Sequence, residues 1–452
     1  MSEAAAPPPP VDLSTYEKVL TKNVGVPRGY DIDVYESRGG YAGLKKAIAS
    51  YKPADLIELV KSSGLRGRGG AGFATGLKWS FVPQGPMQKY LVVNGDESEP
   101  GTFHDRELLE HDPHQLIEGS IITCYAVGIS KAFFYVRGEF ALGYYRLQNA
   151  VEQAREKGYL GQNILGSSFS CEAYTIQGAG AYICGEESAL LESLEGNRPM
   201  PRSRPPFPAV VGLYAGPTVV NSVETMCNVP HIVERGLEWY TSLGTPPRNT
   251  GPFIYSLSGQ VNKPGNHEGP LGLTIDQLVN ELGGGVWGGR KMKAFIPGGA
   301  SSAWLKGDDP NVWNVKLDFD TLGGMKTMLG SGAQIVLDEE CCVPHAALRL
   351  AEFYNHESCG KCTPCREGTR WIVKLAQRIC DGQGDAKDID TLFGIADRIG
   401  FGPPNKMTLC ALGDAATSCI TSTIRQWRDE WEYHAKNGKC PTPTGQPVNP
   451  IL

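Results

Sequence analysis

The chain has 452 residues, 41% of them hydrophobic, with 43 Lys and Arg against 49 Asp and Glu. That length calls for two or three domains with ordinary cores, and a formal charge of -6 gives no electrostatic footing for nucleic acid. No apolar run approaches the roughly 20 residues that span a bilayer, and the opening MSEAAAPPPPVDL has neither the basic nor the apolar region of a secretory signal. A cytoplasmic chain without direct membrane insertion is expected. Thirteen cysteines, an odd number spread over a long chain, do not form the disulfide framework of a small secreted protein and suit a reducing compartment.

In chain order, residues 1–12 read as a disordered extension rich in Ala and Pro. Residues 13–245 read as an α/β domain. There LVVNG and CEAYTIQG have the apolar content of short buried strands, while PADLIELVKSSG and EESALLESLEG have helical periodicity ending in Gly. The Gly, Pro and Thr of TSLGTPPRNTGP suggest a linker. Over 246–337, FIYSLSGQV, a Gly-Pro turn, LTIDQLVNELGG and MKAFIPGG predict a small strand-strand-helix-strand (α+β) module. Over 338–452 four helical segments dominate: HAALRLAEFYNHES, TRWIVKLAQRIC, AKDIDTLFGIADRIG and DAATSCITSTIRQWRDEWEYHAKN. Short links between them predict a four-helix bundle.

The stretch GLRGRGGAGFATGLKW contains Gly67, Gly69 and Gly72 in a G-x-G-x-x-G spacing. A Rossmann fingerprint needs a strand before the loop and a helix after it, whereas this loop follows a helical pattern. It is not a Walker A sequence either, since Lys78 is followed by Trp79. What remains is physical: unobstructed backbone N–H groups beside Arg66, Arg68 and Lys78 suit a phosphate-bearing ligand. A flexible solvated loop is the competing reading.

Two carboxylate loops follow. The strand YLVVNG runs into DESEPGTFHDRE, which places Asn94, Asp96, Glu97 and Glu99 at its C-terminal end, where open α/β sheets bind ligands. Carboxylates accept hydrogen bonds from ribose or ribityl hydroxyls, and an amide both donates and accepts along a ring edge. An acidic surface turn is the alternative. In GAGAYICGEESALLESLEG, Gly185, Glu186 and Glu187 open a helix; capping accounts for one glutamate, while two beside Tyr182 in a Gly-rich turn point to a cofactor contact. Further on, RPMPRSRPPFP supplies Arg204 and Phe207, and VVNSVETM brings Asn221, Ser222 and Thr225 to a helix start. Phe73, Phe81 and Phe207 are candidates to flank a flat ring system.

Cys359, Cys362 and Cys365 in SCGKCTPCREG, with one downstream cysteine, have the three-plus-one grouping of a 4Fe-4S cluster. Structural zinc, which more often pairs two Cys-x-x-Cys knuckles, is the alternative. For the fourth ligand Cys410 is favoured, because it follows the loop FGPPNKM, whereas Cys380 and Cys419 lie in helical patterns where free cysteines pack in cores.

Taken in order, RGRGGAGF, NGDESEPG, YICGEESAL, NSVET and SCGKCTPCREG closely resemble the NADH-binding flavoprotein (51-kDa, F) subunit of respiratory complex I, over nearly the whole chain beyond the first 40 or so residues. The resemblance implies a non-classical Rossmann-like flavin/NADH domain, a β-grasp-like module and a helical domain with a 4Fe-4S cluster. It implies that Gly67, Arg68, Gly69, Lys78, Asn94, Asp96, Gly185 and Glu186 contact FMN, with Asn221, Ser222 and Thr225 at its phosphate. Gly70, Ala71, Phe73, Phe81, Glu97, Tyr182, Glu187, Arg204 and Phe207 would form the NADH side. Glu97 and Glu187 would lie nearest the reacting rings, and Cys359, Cys362, Cys365 and Cys410 would hold the cluster. The family more often has Ala at Gly95, Asn at Ser222 and Lys at Arg204.

The activity implied is NADH dehydrogenase, with a small thioredoxin-fold 2Fe-2S subunit and a large multi-cluster iron-sulfur subunit as partners, in a peripheral arm on the cytoplasmic face of the inner membrane. A diaphorase subunit of an NAD-linked hydrogenase or formate dehydrogenase is the alternative enzyme. An iron-sulfur scaffold is the non-enzymatic one.

Overall fold

A computed structural model describes residues 12–400 and 407–441. Residues 1–11 of the expected extension and 401–406 of the loop FGPPNKM lie outside the described residues.

The strands Tyr90–Gly95 (β1), Lys131–Val136 (β2), Glu172–Gln177 (β3) and Thr218–Ser222 (β4) form one parallel sheet in the order β3-β2-β1-β4. Leu91, Val92 and Val93 of β1 are all buried, the unbroken apolar run of a central strand covered on both faces. Chain connections leave β1 toward β2 and β3 on one side and arrive at β4 on the other. The order therefore reverses between β1 and β4, and the crevice at their C-terminal ends is the expected ligand position. Asn94 and Ser222 face each other there in register.

Helices Pro113–Val127 and Val223–Arg235 pack closely against each other beside this sheet. A Cβ at Gly119 would stand 2.0 Å from the carbonyl oxygen of Met226, so the crossing requires glycine. Pro113 opens the first helix, and Gly128 at φ 75° closes it in the left-handed region. The chain's opening segment is fixed from elsewhere: the buried Glu268 accepts hydrogen bonds from the backbone N–H groups of Val19, Leu20 and Thr21 and from the Thr21 hydroxyl.

The segment expected to be a linker contains a short hairpin, Gly244–Thr245 (β5) with Asn249–Thr250 (β6). Beyond it, Pro252–Gly259 (β7), Gly265–Pro270 (β8), Met292–Ile296 (β9), Leu305–Lys306 (β10) and Ala333–Asp338 (β11) form a mixed sheet in the order β10-β9-β11-β7-β8. Only β11 and β7 run parallel. The expected helix is one turn of π type, Gln277–Leu282. The module is thus larger than strand-strand-helix-strand, because β10 and β11 are short or fully buried and carry no alternating pattern.

The C-terminal part is helical: Val343–Glu357, Thr363–Cys380, Ala386–Arg398, Leu412–Gln426 and Arg428–Asn437. The last expected helix is divided at Trp427 (φ -129°, ψ 41°). Its indole packs edge-on against Trp304, and Gln426 Nε2 donates to the Trp304 carbonyl at 2.6 Å. A tertiary anchor, with no Gly or Pro to announce it, bends the chain here. Among the described residues no helix is long and apolar enough to cross a membrane.

Candidate cofactor groove and cysteine pocket

The glycine loop folds back on itself before the sheet begins. Gly67 N–H donates to the Phe73 carbonyl at 2.8 Å and Thr75 N–H to that of Leu65 at 2.9 Å. Its tip touches the end of β4: a Cβ at Gly69 would lie 2.9 Å from Ser222 Cβ. Gly70, at φ 131°, has nothing within 4 Å of its would-be Cβ, and Ala71 is exposed. Backbone is therefore presented at the first turn of the 13-residue helix Val223–Arg235, a favourable place for an anion. Ser222, the N-cap, makes no capping bond to that helix; its hydroxyl pairs with Thr225 Oγ1 at 2.7 Å, which also accepts from Arg68 N–H at 2.8 Å. Asn221 is buried and accepts from the Trp79 indole at 3.3 Å.

Two expected groove residues turn elsewhere. Arg68 is completely buried; its Nη2 donates to the Thr250 carbonyl at 2.8 Å and the Pro252 carbonyl at 3.1 Å, and its guanidinium lies 5.2 Å from the Phe253 ring centre. The side chain leaves the open face of the loop and joins the α/β domain to the second sheet, where strand-end carbonyls need donors. Glu97 is likewise inward, its side chain 1% exposed, accepting from the N–H groups of Asp105 at 2.7 Å and Arg106 at 3.0 Å. It satisfies the start of helix His104–His111 and does not line the groove.

Most of the remaining residues converge. Lys78 Nζ donates to the Val220 carbonyl at 3.0 Å and lies 3.9 Å from Glu187; burial pulls its pKa down. Arg204 pairs with Glu186 and, at 3.2 Å, with Glu187. Glu186 caps helix Glu187–Leu194 through Ser188 and Ala189 N–H. Asn94 Nδ2 donates to the Gly185 carbonyl at 2.9 Å, closing one carboxylate loop on the other. Burial raises Asp96 to about 7, and its Oδ1 has no hydrogen-bond partner among the described residues. Phe73, Phe81 and Phe207 are all about half exposed, the first two rings 6.2 Å apart. Tyr182 instead reaches Glu99, at 2.8 Å.

An orphaned buried carboxylate oxygen, an open glycine loop at a helix start and exposed aromatic faces fit a phosphorylated, hydroxyl-bearing flat ring system. FMN is such a molecule.

Beside the groove, Cys359, Cys362, Cys365 and Cys410 line one pocket with Ile183, Ser358, Lys361 and Thr408. Cys419 is in the helical core instead, and Cys380 lies at the end of the second bundle helix. Burial pushes the Cys365 thiol up to about 11 and the Cys410 thiol up to about 12, so each holds its proton at neutral pH until a metal displaces it. Four convergent sulfurs fit an iron-sulfur cluster. Ile183 belongs to the turn Tyr182–Gly185, so one turn supplies both the pocket wall and the groove edge.

Comparison with known proteins agrees with this geometry. The model of the Nuo51 FMN-binding domain matches residues 60–231, and that of the NADH-ubiquinone oxidoreductase-F iron-sulfur binding region matches 345–434. One relative, the F 2 subunit of the NADH-quinone oxidoreductase of Rhizobium meliloti, is 50% identical over 427 residues, 94% of this chain and 99% of the relative. The chain belongs to the family of NADH-quinone oxidoreductase F subunits. The F subunit of Streptomyces coelicolor is 51% identical over 413 residues, 91% of this chain and 90% of its own length. Among solved structures, a chain of an NAD+-reducing NiFe hydrogenase in the H2-reduced state aligns with a TM-score of 0.80 at 32% identity, covering 93% of this chain and 67% of that one. F-subunit membership thus accounts for both the groove and the pocket.

One group of side chains escaped sequence reasoning: Cys342, His345, His434 and Cys440, whose ligand-capable atoms all lie within 4.8 Å of one another. Cys-x-x-His in CCVPH was its only local signal.

Proposed function

We propose that this chain is the NADH-oxidising subunit of an NADH:quinone oxidoreductase, taking hydride from NADH at the groove and delivering single electrons through the four-cysteine pocket toward quinone. The observation that carries the reading is the turn Tyr182–Gly185, which is shared by pocket and groove and so keeps the two redox sites adjacent. FMN in the groove would supply the conversion from a two-electron hydride to single electrons, and a 4Fe-4S cluster on Cys359, Cys362, Cys365 and Cys410 would supply the one-electron acceptor.

The chain's own residues bind and orient. Gly67, Gly69 and the helix start at Ser222 and Thr225 receive the flavin phosphate, with Lys78 adding charge near Glu187. Asn94, Asp96, Gly185 and Glu186 line the flavin's polar edge. Phe73, Phe81 and Phe207, with Gly70 and Ala71, offer NADH an open apolar face, and Arg204 holds Glu187 toward it. Hydride transfer needs no general base, so these groups act by positioning. Glu97 and Arg68 act from behind, fixing the loops that carry the contacts.

The reading divides the chain at 13–245, 246–337 and 338–452. It places the chain beside a small 2Fe-2S subunit and a larger multi-cluster subunit in a peripheral arm on the cytoplasmic face of the membrane. Structural likeness to an NAD+-reducing hydrogenase favours, as second reading, a diaphorase subunit. Purified chain should carry yellow flavin and reduce ferricyanide with NADH; a flavin-loaded protein inert toward NADH would overturn the activity. Co-purification of hydrogenase subunits in place of quinone-linked ones would select the second reading.

A further inference from the structure

The four side chains Cys342, His345, His434 and Cys440 lie outside the groove and the four-cysteine pocket. Cys342 is the N-cap of helix Val343–Glu357 and His345 sits in its first turn. His434 is in the last turn of helix Arg428–Asn437, after which Gly438, at φ 63°, turns the chain so that Cys440 returns toward His345. Cys342, His434 and Cys440 are buried. The Cys342 sulfur is 3.2 Å from His345 Nδ1 and 3.0 Å from His434 Nε2, and the Cys440 sulfur is 3.6 Å from His345 Nδ1.

These separations are those of ligand atoms around one tetrahedral ion. With Zn–S about 2.3 Å and Zn–N about 2.0 Å, the sulfur–nitrogen edge of a tetrahedron is about 3.5 Å. His434 Nδ1 faces the Cys380 carbonyl at 3.4 Å, which assigns its proton there and leaves Nε2 as a lone pair, the usual outer-shell arrangement of a metal-bound histidine. His345 Nδ1 is approached by both sulfurs, as a nitrogen that shares one ion with two thiolates would be.

We propose that Cys342, His345, His434 and Cys440 form a structural zinc site that clasps the start of helix Val343–Glu357 to the end of helix Arg428–Asn437. Four protein ligands leave no open position, so the ion is structural. The site is separate from the iron-sulfur pocket: the two lie at opposite ends of helix Val343–Glu357, about 20 Å apart at 1.5 Å rise per residue.

The test is metal analysis of the full chain purified without chelator from zinc-supplemented cells, by mass spectrometry of the elements together with zinc-edge X-ray absorption. One zinc per chain is expected, with a shell of two sulfurs and two nitrogens. Cys342→Ser with Cys440→Ser should lower zinc at least tenfold while iron and flavin per chain stay constant. Zinc below a tenth per chain in the wild type would overturn the proposal. So would an all-sulfur shell, which would put the zinc in the four-cysteine pocket, or a Cys342–Cys440 disulfide found by alkylation and peptide mass. The absorption measurement uses wild-type protein and decides the matter even if the serine variant fails to fold.

Discussion

The Tyr182 hydroxyl donates to Glu99 Oε2 at 2.8 Å while Ser301 N–H donates to the other oxygen at 2.7 Å, so the loop after β1, the groove turn and the second module meet at one carboxylate. The Tyr182 ring also packs edge-on against Phe353 and Tyr354 of the first bundle helix. Replacing Tyr182 by Phe keeps the ring contacts and removes one donor, which should cost about 1–2 kcal/mol. Urea unfolding of the flavin-loaded protein measures this; an unchanged midpoint would show the bond to be idle.

Arg68 and Lys78 should behave differently. Arg68→Ala leaves the Thr250 and Pro252 carbonyls without their donor, and Arg68→Lys loses the planar guanidinium that lies over the Phe253 ring. Both variants should unfold at markedly lower temperature. Lys78→Ala should fold with a near-normal melting temperature and lose flavin on dialysis. Equal flavin loss at equal stability for both residues would contradict the geometry.

Cys410→Ser should abolish or convert the cluster signal in electron paramagnetic resonance, because three thiolates leave one iron open. Cys419→Ser should leave that signal intact, since Cys419 is buried in the helical core. Ferricyanide reduction by NADH should survive in the Cys410 variant. A cluster signal lost only on replacing Cys419 would reverse the assignment.

A pH dependence follows from His104. Burial opposes its charging, but Glu224, Asp105 and Glu97 around it outweigh burial and raise its pKa from 6.5 to about 9. A raised histidine contributes stability that is fully present below pH 6.5 and is lost as pH rises through 9. Thermal unfolding should therefore show falling stability from about pH 6.5 to 9, and His104→Gln should flatten that slope. A slope unchanged in the variant would exclude His104 as its source.

Much of this was legible in the sequence, for identifiable reasons. The apolar run of β1 and the Cys359–Cys365 spacing are local patterns, and the structure has a strand and a shared pocket at those places. Side-chain direction was not legible. Arg68 reads as loop charge and Glu97 as groove carboxylate, because sequence supplies position along the chain but not which neighbour offers a carbonyl or an N–H. The break at Trp427 depends on Trp304, and Cys342 meets His434 across 92 positions. No window of sequence contains either pair.

The grip of Glu268 on Val19, Leu20 and Thr21 also sets an order of events during synthesis. These backbone groups cannot be paired as in the finished protein until residue 268, 247 positions beyond Thr21, has left the ribosome. The opening stretch of the chain is therefore among the first made and among the last settled. Through that interval it is held only by its bonds to the first domain, such as that from Gln115 Nε2 to the Leu20 carbonyl, and nascent chains halted before residue 268 should be cut there by protease faster than chains halted well beyond it.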